Sequence, residues 1–309
     1  MAKPTRQKLQ LINTATELLN NPYPNYDQMV FMPSDLAQIT FPHSDPGDIP
    51  IWTRQNGNQV FFIRPAASQG KIIGYPYGAI PRLLMHWITT ELQHSSEPVL
   101  SLGDNLSSFM RELGLDPHRG GVRSDRVRCQ KQLQRFFRSV YSNEYDHTKH
   151  GKKGFEYSDV QIAPKGKLWW EFNGDEKTVF DGTLKLSEDA LEMFRKSPIP
   201  GDLRILSALK SSSLCLDYND WLHLKTFIAN KKDLPQRVPW RGLIMQFGGS
   251  YGTEEIITKS HISNFRRKSK WAIQCVTQLC PYLDIDYFDG GVIINPASLP
   301  LDIQKNLSK

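Results

Sequence analysis

The chain has 309 residues, 39% of them hydrophobic and 23% charged, with seven Trp and only four Cys. At roughly 150 residues per domain this is a two-domain length with ample apolar content, which excludes a disordered chain, a collagen-like repeat and a disulfide-stapled miniprotein. The net charge of +6 suits a polyanionic partner without requiring one, so the placement of the charges carries more than their sum.

In chain order, Thr5 to Leu19 is expected to form a short helix with Leu9, Ile12 and Leu19 on one apolar face, ended by Pro22 and Pro24. Ile51 to Arg54 and Val60 to Ile63 flank an Asn56-Gly57 turn and read as a hairpin. Helices follow at Pro81 to Leu92, where Leu84, Trp87, Ile88 and Leu92 recur at steps of three and four, and at Asp104 to Leu113, capped by Asp104 or Gly103 and closed by Gly114. A third helix covers about Val122 to Tyr141, and Phe155 to Ala163 with Lys167 to Phe172 reads as a second hairpin.

That order then recurs. Helices are expected at Leu186 to Arg195, Leu203 to Leu209, Leu216 to Ala229 and Pro239 to Phe247. A long one runs from about Thr253 to Cys280, ahead of a hairpin that turns at Asp289-Gly290-Gly291. Three helices followed by a hairpin is the order of a winged helix. The expected fold is therefore α+β, mainly α, with tandem winged-helix domains, each of three helices plus a β-hairpin wing. The boundaries are an N-terminal helical segment at 1–25, a first domain at 26–185 and a second at 186–309.

The cations concentrate on two helices. At 100° per residue, Cys129, Leu133, Phe136, Phe137 and Val140 share one face of the third helix, while Arg128, Lys131, Arg135 and Arg138 share the opposite one. Arg119, Arg123 and Arg126 extend that charge toward the helix start, and Asp125 is the only acid nearby. A solvated face is the plain alternative, but such faces usually mix signs for i,i+4 pairing. The long second helix places Lys259, Arg266, Arg267 and Lys270 across from Ile262, Phe265, Ala272 and Val276, with Ser263 and Asn264 among the cations. Lys and Arg hold phosphates, and Asn and Arg make paired hydrogen bonds to purine edges, so this mixture suits reading of duplex DNA. Lys165 and Lys167 are placed at the first hairpin tip as wing contacts.

Catalytic patterns are absent. Gly248-Gly249-Ser250-Tyr251-Gly252 lacks the lysine of a phosphate loop, and His147 with His150 does not make the His-x-His pair of a rolling-circle nicking enzyme. Asp45 and Asp48 form only a loose pair in a proline-rich loop, and Trp169-Trp170 reads as wing core. Cys129, Cys215, Cys275 and Cys280 contain no CxxC and read as buried thiols, so no metal and no cofactor is expected. No stretch approaches the ~18 apolar residues of a membrane span, and Met1 to Gln10 does not start a secretory signal. A cytoplasmic protein that is not an enzyme, with no membrane partner, is expected.

Gly74-Tyr75-Pro76-Tyr77-Gly78-Ala79-Ile80-Pro81-Arg82-Leu83-Leu84 resembles plasmid-encoded RepA-type replication initiator proteins, as do Leu102-Gly103-Asp104-Asn105-Leu106-Ser107 and Phe109 to Leu115. Similar wording continues in Leu186 to Asp189, Leu216-Asp217-Tyr218 with Trp221, Trp240 with Gln246-Phe247-Gly248, and Asn264 to Lys268. The resemblance spans about residues 50 to 295 and omits the first fifty. It implies a bacterial, plasmid-associated initiator that binds repeated duplex sites (iterons) at the origin, promotes origin opening and recruits the host initiator ATPase and replicative helicase. It also implies a homodimer in equilibrium with monomer, with the first domain holding phosphates and dimerising and the second reading sequence. A winged-helix transcriptional repressor without origin function is the alternative.

Overall fold

The computed structural model describes residues 6–34, 37, 40–103, 105–118, 124–146, 154–168, 182–248 and 257–300. In chain order the first elements are α1 (Arg6–Asn20), a 3-10 turn at Tyr26–Gln28, β1 (Met29–Pro33), β2 (Trp52–Asn56), β3 (Gln59–Arg64), β4 (Ala67–Ser68), β5 (Lys71–Ile72), α2 (Ala79–His94), β6 (Val99–Ser101) and α3 (Leu106–Glu112). There follow α4 (Asp125–Arg138), β7 (Val140–Asp146), β8 (Phe155–Gln161), β9 (Lys165–Lys167), β10 (Thr183–Lys185), α5 (Glu188–Arg195) and β11 (Pro198–Asp202). The last are α6 (Leu203–Leu209), α7 (Ser213–Lys232), β12 (Gln236–Pro239), α8 (Trp240–Phe247), α9 (Lys259–Leu279), β13 (Ile285–Phe288) and β14 (Gly291–Ile294). No helix among the described residues is long and apolar enough to cross a membrane.

The chain divides into two compact units, a continuous one of Phe41–Pro198 and a split one of Met1–Thr40 with Ile199–Lys309. This corrects the boundary at 185/186, because α5 packs on α2 and so belongs to the continuous unit. It also corrects the separate N-terminal segment, since α1 packs on α6 and α9. Gln10 Nε2 donates to Ser207 O at 2.9 Å, and Arg204, held by Asp202 at 2.6 Å, donates to Asn21 O at 2.9 Å. The buried face of α1 is Leu11 and Leu18, whereas Leu9, Ile12 and Leu19, expected to pack, are exposed.

In the continuous unit the expected helix α2 forms, but it is central and not one-faced: every residue from Ala79 to Thr89 is buried, Leu84 and Ile88 fully. Trp87 meets Phe109 of α3 edge-on at 4.9 Å, and Phe136 meets Phe137 of α4 at 5.1 Å. Asn105 caps α3 by accepting from Ser108 N at 2.8 Å, in place of the cap expected from Gly103 or Asp104. Strands β2 and β3 pair as the Asn-Gly turn predicts, with Trp52 opposite Ile63. They extend into a four-stranded sheet in the order β2-β3-β7-β8.

The second expected hairpin is different. Strand β8 pairs with β7, not with the segment that follows it, and β9 pairs with β10, Gly166 opposite Leu184. Strand β10 also pairs with β6, Leu184 opposite Leu100, giving a three-stranded sheet β6-β10-β9. The physical reason is burial: this register sets Leu184 opposite Leu100 and leaves them only 1% and 4% exposed.

The split unit is built on α7, which carries Tyr218 and Trp221 against Phe247 of α8 at 5.0 and 5.9 Å. Its sheet runs β12-β14-β13, and the β13–β14 hairpin is the one expected. Gly291 is required there, because a Cβ would lie 2.1 Å from Val238 O. The split unit runs helix, strand, helix, helix and two strands, and the continuous unit repeats that order with β7 and β8, which join β2 and β3, inserted before the last two strands; the third strand is central in each three-stranded sheet. The strands β6 and β12, which open each sheet, and β7 and β10 in the continuous unit were not foreseen in the sequence.

Candidate nucleic-acid interface

Helices α4 and α9 hold corresponding places in the two repeats, and each starts on a hydroxyl cap. Ser124 Oγ accepts from Val127 N at 3.3 Å, and Thr258 Oγ1 accepts from His261 N at 3.2 Å. Capping satisfies donors that the first turn would otherwise leave unpaired, and it fixes where the cationic face begins.

On α9, Phe265, Ser269, Ala272, Ile273, Cys275, Val276 and Leu279 are buried, which sets the opposite face outward. Lys259, Ser263, Asn264 and Arg267 are exposed, as their spacing predicts, and Arg266 and Lys270 are half-buried along the flank. Each of those two lies over an aromatic ring: Arg266 is 5.9 Å from the Trp240 centroid and Lys270 is 4.7 Å from that of Tyr287. The rings are themselves stacked, 6.3 Å apart and 16° from parallel. Cations held this way keep their charge while losing rotamer freedom, which favours a fixed anion-binding surface. Half-burial raises the Tyr287 phenol above its ordinary range, so the ring stays neutral under the ammonium. Trp271, 45% exposed one turn beyond Arg267, adds an apolar surface that the charge pattern did not single out.

On α4 the four-residue stripe is present, but its members differ. Arg128 is exposed and pairs with Asp125 at 3.2 Å, so the acid discounted in the sequence neutralises part of the stripe. Lys131 is exposed. Arg126 donates to Ser107 Oγ at 3.3 Å. Arg135 is drawn inward: Nε donates to Ile73 O at 2.7 Å, Nη1 to Tyr75 O at 3.3 Å, and Asp45 Oδ2 lies 3.3 Å from Nη1. Its guanidinium also lies 5.5 Å from the Tyr77 ring. Arg138 donates to Ala67 O at 2.7 Å while remaining exposed. Arg123 and Arg119 lie outside the described residues, as do His147, His150, Trp169, Trp170 and residues 249–252 of the glycine-rich loop.

Lys165 and Lys167 are exposed, but they sit within β9, opposite Lys185 and Thr183, not at a hairpin tip. All four cysteines are free and buried. Burial pushes the Cys129 and Cys280 thiols up to about 12 each, which keeps them in the unreactive protonated form. Cys215 and Cys275 share a hydrogen bond between α7 and α9.

The family model described as "Plasmid encoded RepA protein" matches residues 75–240, more than half of the 309. That span contains α4 and α7 and stops at the first residue of α8, so the reading of α9 rests on its own geometry. Among solved structures, the chain is similar to a crystal structure of domains 2 and 3 of RctB, with a TM-score of 0.51 and 11% identity over 85% of this chain and 96% of that one. A second crystal structure of RctB domains 2-3 gives a TM-score of 0.47 and 11% identity over 89% and 100%. At that identity the first likeness concerns the fold, a mixed α+β arrangement of helices and small sheets. No curated protein matches the chain.

Proposed function

Because the chain belongs to the family of plasmid-encoded RepA proteins, we propose that it is a plasmid replication initiator that binds duplex DNA through two winged-helix domains. The observation that supports this most directly is the repeated topology: the sheets β6-β10-β9 and β12-β14-β13 each take one edge strand from before a capped cationic helix and their other two strands from after it, with β7 and β8 inserted behind α4. In a winged helix that helix enters the major groove, and the connection between the last two strands forms the wing.

In this reading α9 is the sequence-reading helix. Ser263, Asn264 and Arg267 point to base edges, and Lys259, Arg266 and Lys270 hold phosphates, the last two braced by Trp240 and Tyr287. Helix α4 contributes phosphate contacts from Arg128 and Lys131, and Lys165 and Lys167 on β9 contribute others. The sites are repeated sequences at the plasmid origin, and bending of the bound duplex lowers the cost of melting nearby. Recruitment of the host initiator ATPase and helicase, an exchange between dimer and monomer, and action without catalysis complete the proposal.

The test is fluorescence anisotropy on the DNA flanking the gene against a scrambled duplex, at several salt concentrations. Discrimination of ~10³ or more, with a steep salt slope on both duplexes, is expected. Equal weak binding to both overturns sequence-specific recognition. Nicked circles accumulating from supercoiled origin plasmid with a divalent metal overturn the non-catalytic reading.

A further inference from the structure

The small hairpin β4–β5 stands on the outward face of α4. Arg128, Lys131, Arg135 and Arg138 recur along that face at steps of three and four. The last two grip the hairpin by its roots, Arg138 through Ala67 O at the start of β4 and Arg135 through Ile73 O just after β5. Ile73 N closes the base onto Ala66 O at 3.0 Å. The grip needs Gly74, at φ +84°, because a Cβ there would come within 2.8 Å of Arg135 Nη2. At the tip, Gln69 and Gly70 take φ of 50° and 75°, so the strands are joined by two left-handed residues and no slack loop.

The finger so held is polar and cationic. Gln69, Gly70, Lys71 and Ile72 are exposed, Ile72 to 65%. No Asp or Glu occurs between Asp48 and Glu91, so no acid within that stretch offsets Lys71. Asp45, the carboxylate at the roots, is engaged by Arg135. A rigid finger carrying a lysine, on the same helix face as Arg128 and Lys131, matches an element that follows a phosphate backbone or enters a groove edge.

We infer that the β4–β5 hairpin is a DNA-contacting finger, with Lys71 on a phosphate and Gln69 and Ile72 at the groove edge, positioned by Arg135 and Arg138. This rests on the DNA-binding reading above and assigns those two arginines a positioning role. It predicts one more phosphate contact than the helices and wings supply.

The test is equilibrium binding of the full chain to a mixed-sequence duplex of about 30 base pairs, three helical turns, followed by anisotropy across salt. Lys71→Ala is expected to weaken binding several-fold and to reduce the log–log salt slope by about 0.9, and Lys71→Arg to retain both. An unchanged slope for Lys71→Ala, while Lys131→Ala shows the loss, overturns the finger and leaves DNA binding by α4 standing. An unchanged slope for both variants overturns the role of α4 as well. Because the native thiols are buried, an iron chelate attached through Ser68→Cys labels the finger alone. It is expected to cut the bound duplex, and an uncut duplex overturns the proposal.

Discussion

Helices α4 and α9 occupy matching places in the two units, each capped by a hydroxyl and each lying in the chain between the first and the last two strands of a three-stranded sheet, past the inserted β7 and β8 in the case of α4, yet they hold their cations differently. On α9 the flanking cations rest on a stacked Trp240–Tyr287 pair, and Ser263, Asn264 and Arg267 are left exposed. On α4, Arg135 and Arg138 bond to backbone carbonyls of the neighbouring segment, and Arg128 bonds to Asp125. One helix presents a surface suited to reading bases. The other is partly a bracket. Equal numbers of Lys and Arg along two helices, five on each, thus do not imply equal roles, because a guanidinium with carbonyls in reach is satisfied within the fold, whereas one over an aromatic face still faces an incoming anion.

The largest effect that would break this comparison concerns stability. Arg135→Ala removes three charge-assisted hydrogen bonds, two to backbone carbonyls and one to Asp45, from a side chain only 18% exposed, and is expected to cost about 2 to 3 kcal/mol in urea unfolding. Arg267→Ala, on the open face of α9, is expected to stay within about 0.5 kcal/mol. Equal losses would mean that α9 also uses its arginines inside the fold.

Binding supplies the reciprocal measurement. Arg267→Ala is expected to cost about 1 to 3 kcal/mol on the specific duplex and less on a scrambled one, since a base contact is lost only where the base is right. Arg128→Ala is expected to weaken both duplexes alike and to reduce the salt slope by about 1, the signature of a phosphate contact. If Arg267→Ala also acts equally on both, α9 holds phosphate and the sequence is read elsewhere.

Much of the architecture was legible where the signal is local. The existence of α2, though not its burial on every side, follows from the spacing of Leu84 and Ile88, and the β2–β3 and β13–β14 hairpins follow from Asn56-Gly57 and Asp289-Gly290. What resisted was non-local. Strand β9 finds its partner in β10 across residues 168–182, and strands of three residues are too short to show a period. Helix α1 carries two overlapping apolar stripes, and only its neighbours α6 and α9 select Leu11 and Leu18 over Leu9 and Ile12. The spacing of α4 places Arg135 and Lys131 on one face equally. What separates them is a glycine-bearing segment, Ile73 to Tyr77, far away in the chain, so the site was legible as a charge pattern but not as a division of labour.

A finer test asks whether the aromatic support on α9 is energetic or incidental. Tyr287→Leu removes the ring under Lys270, and a double-mutant cycle with Lys270→Ala is expected to give a coupling of about 0.5 to 1 kcal/mol. A coupling near zero would leave Lys270 as mobile as any surface lysine and narrow the contrast between the two helices.

The smallest expected effect is a titration confined to the unit that holds α4. Burial raises the Glu112 carboxyl above its ordinary 4.5, with the neighbouring charge of Glu91 adding to the rise and the Trp87 hydrogen bond opposing it. Helix α9 has no acidic residue to titrate in that range. A carboxyl whose folded pKa is raised binds its proton more tightly in the native state. Its contribution is therefore fully present below the unfolded pKa and is lost as pH rises through the folded one. Glu112→Gln, which does not ionise, should gain stability relative to the native chain between pH 4 and pH 7, measured as paired melting temperatures across that range. An unchanged difference would mean that the Glu112 carboxyl, exposed at the end of α3, meets water in the fold much as it does in the unfolded chain, and that neither its partial burial nor Glu91 holds its proton.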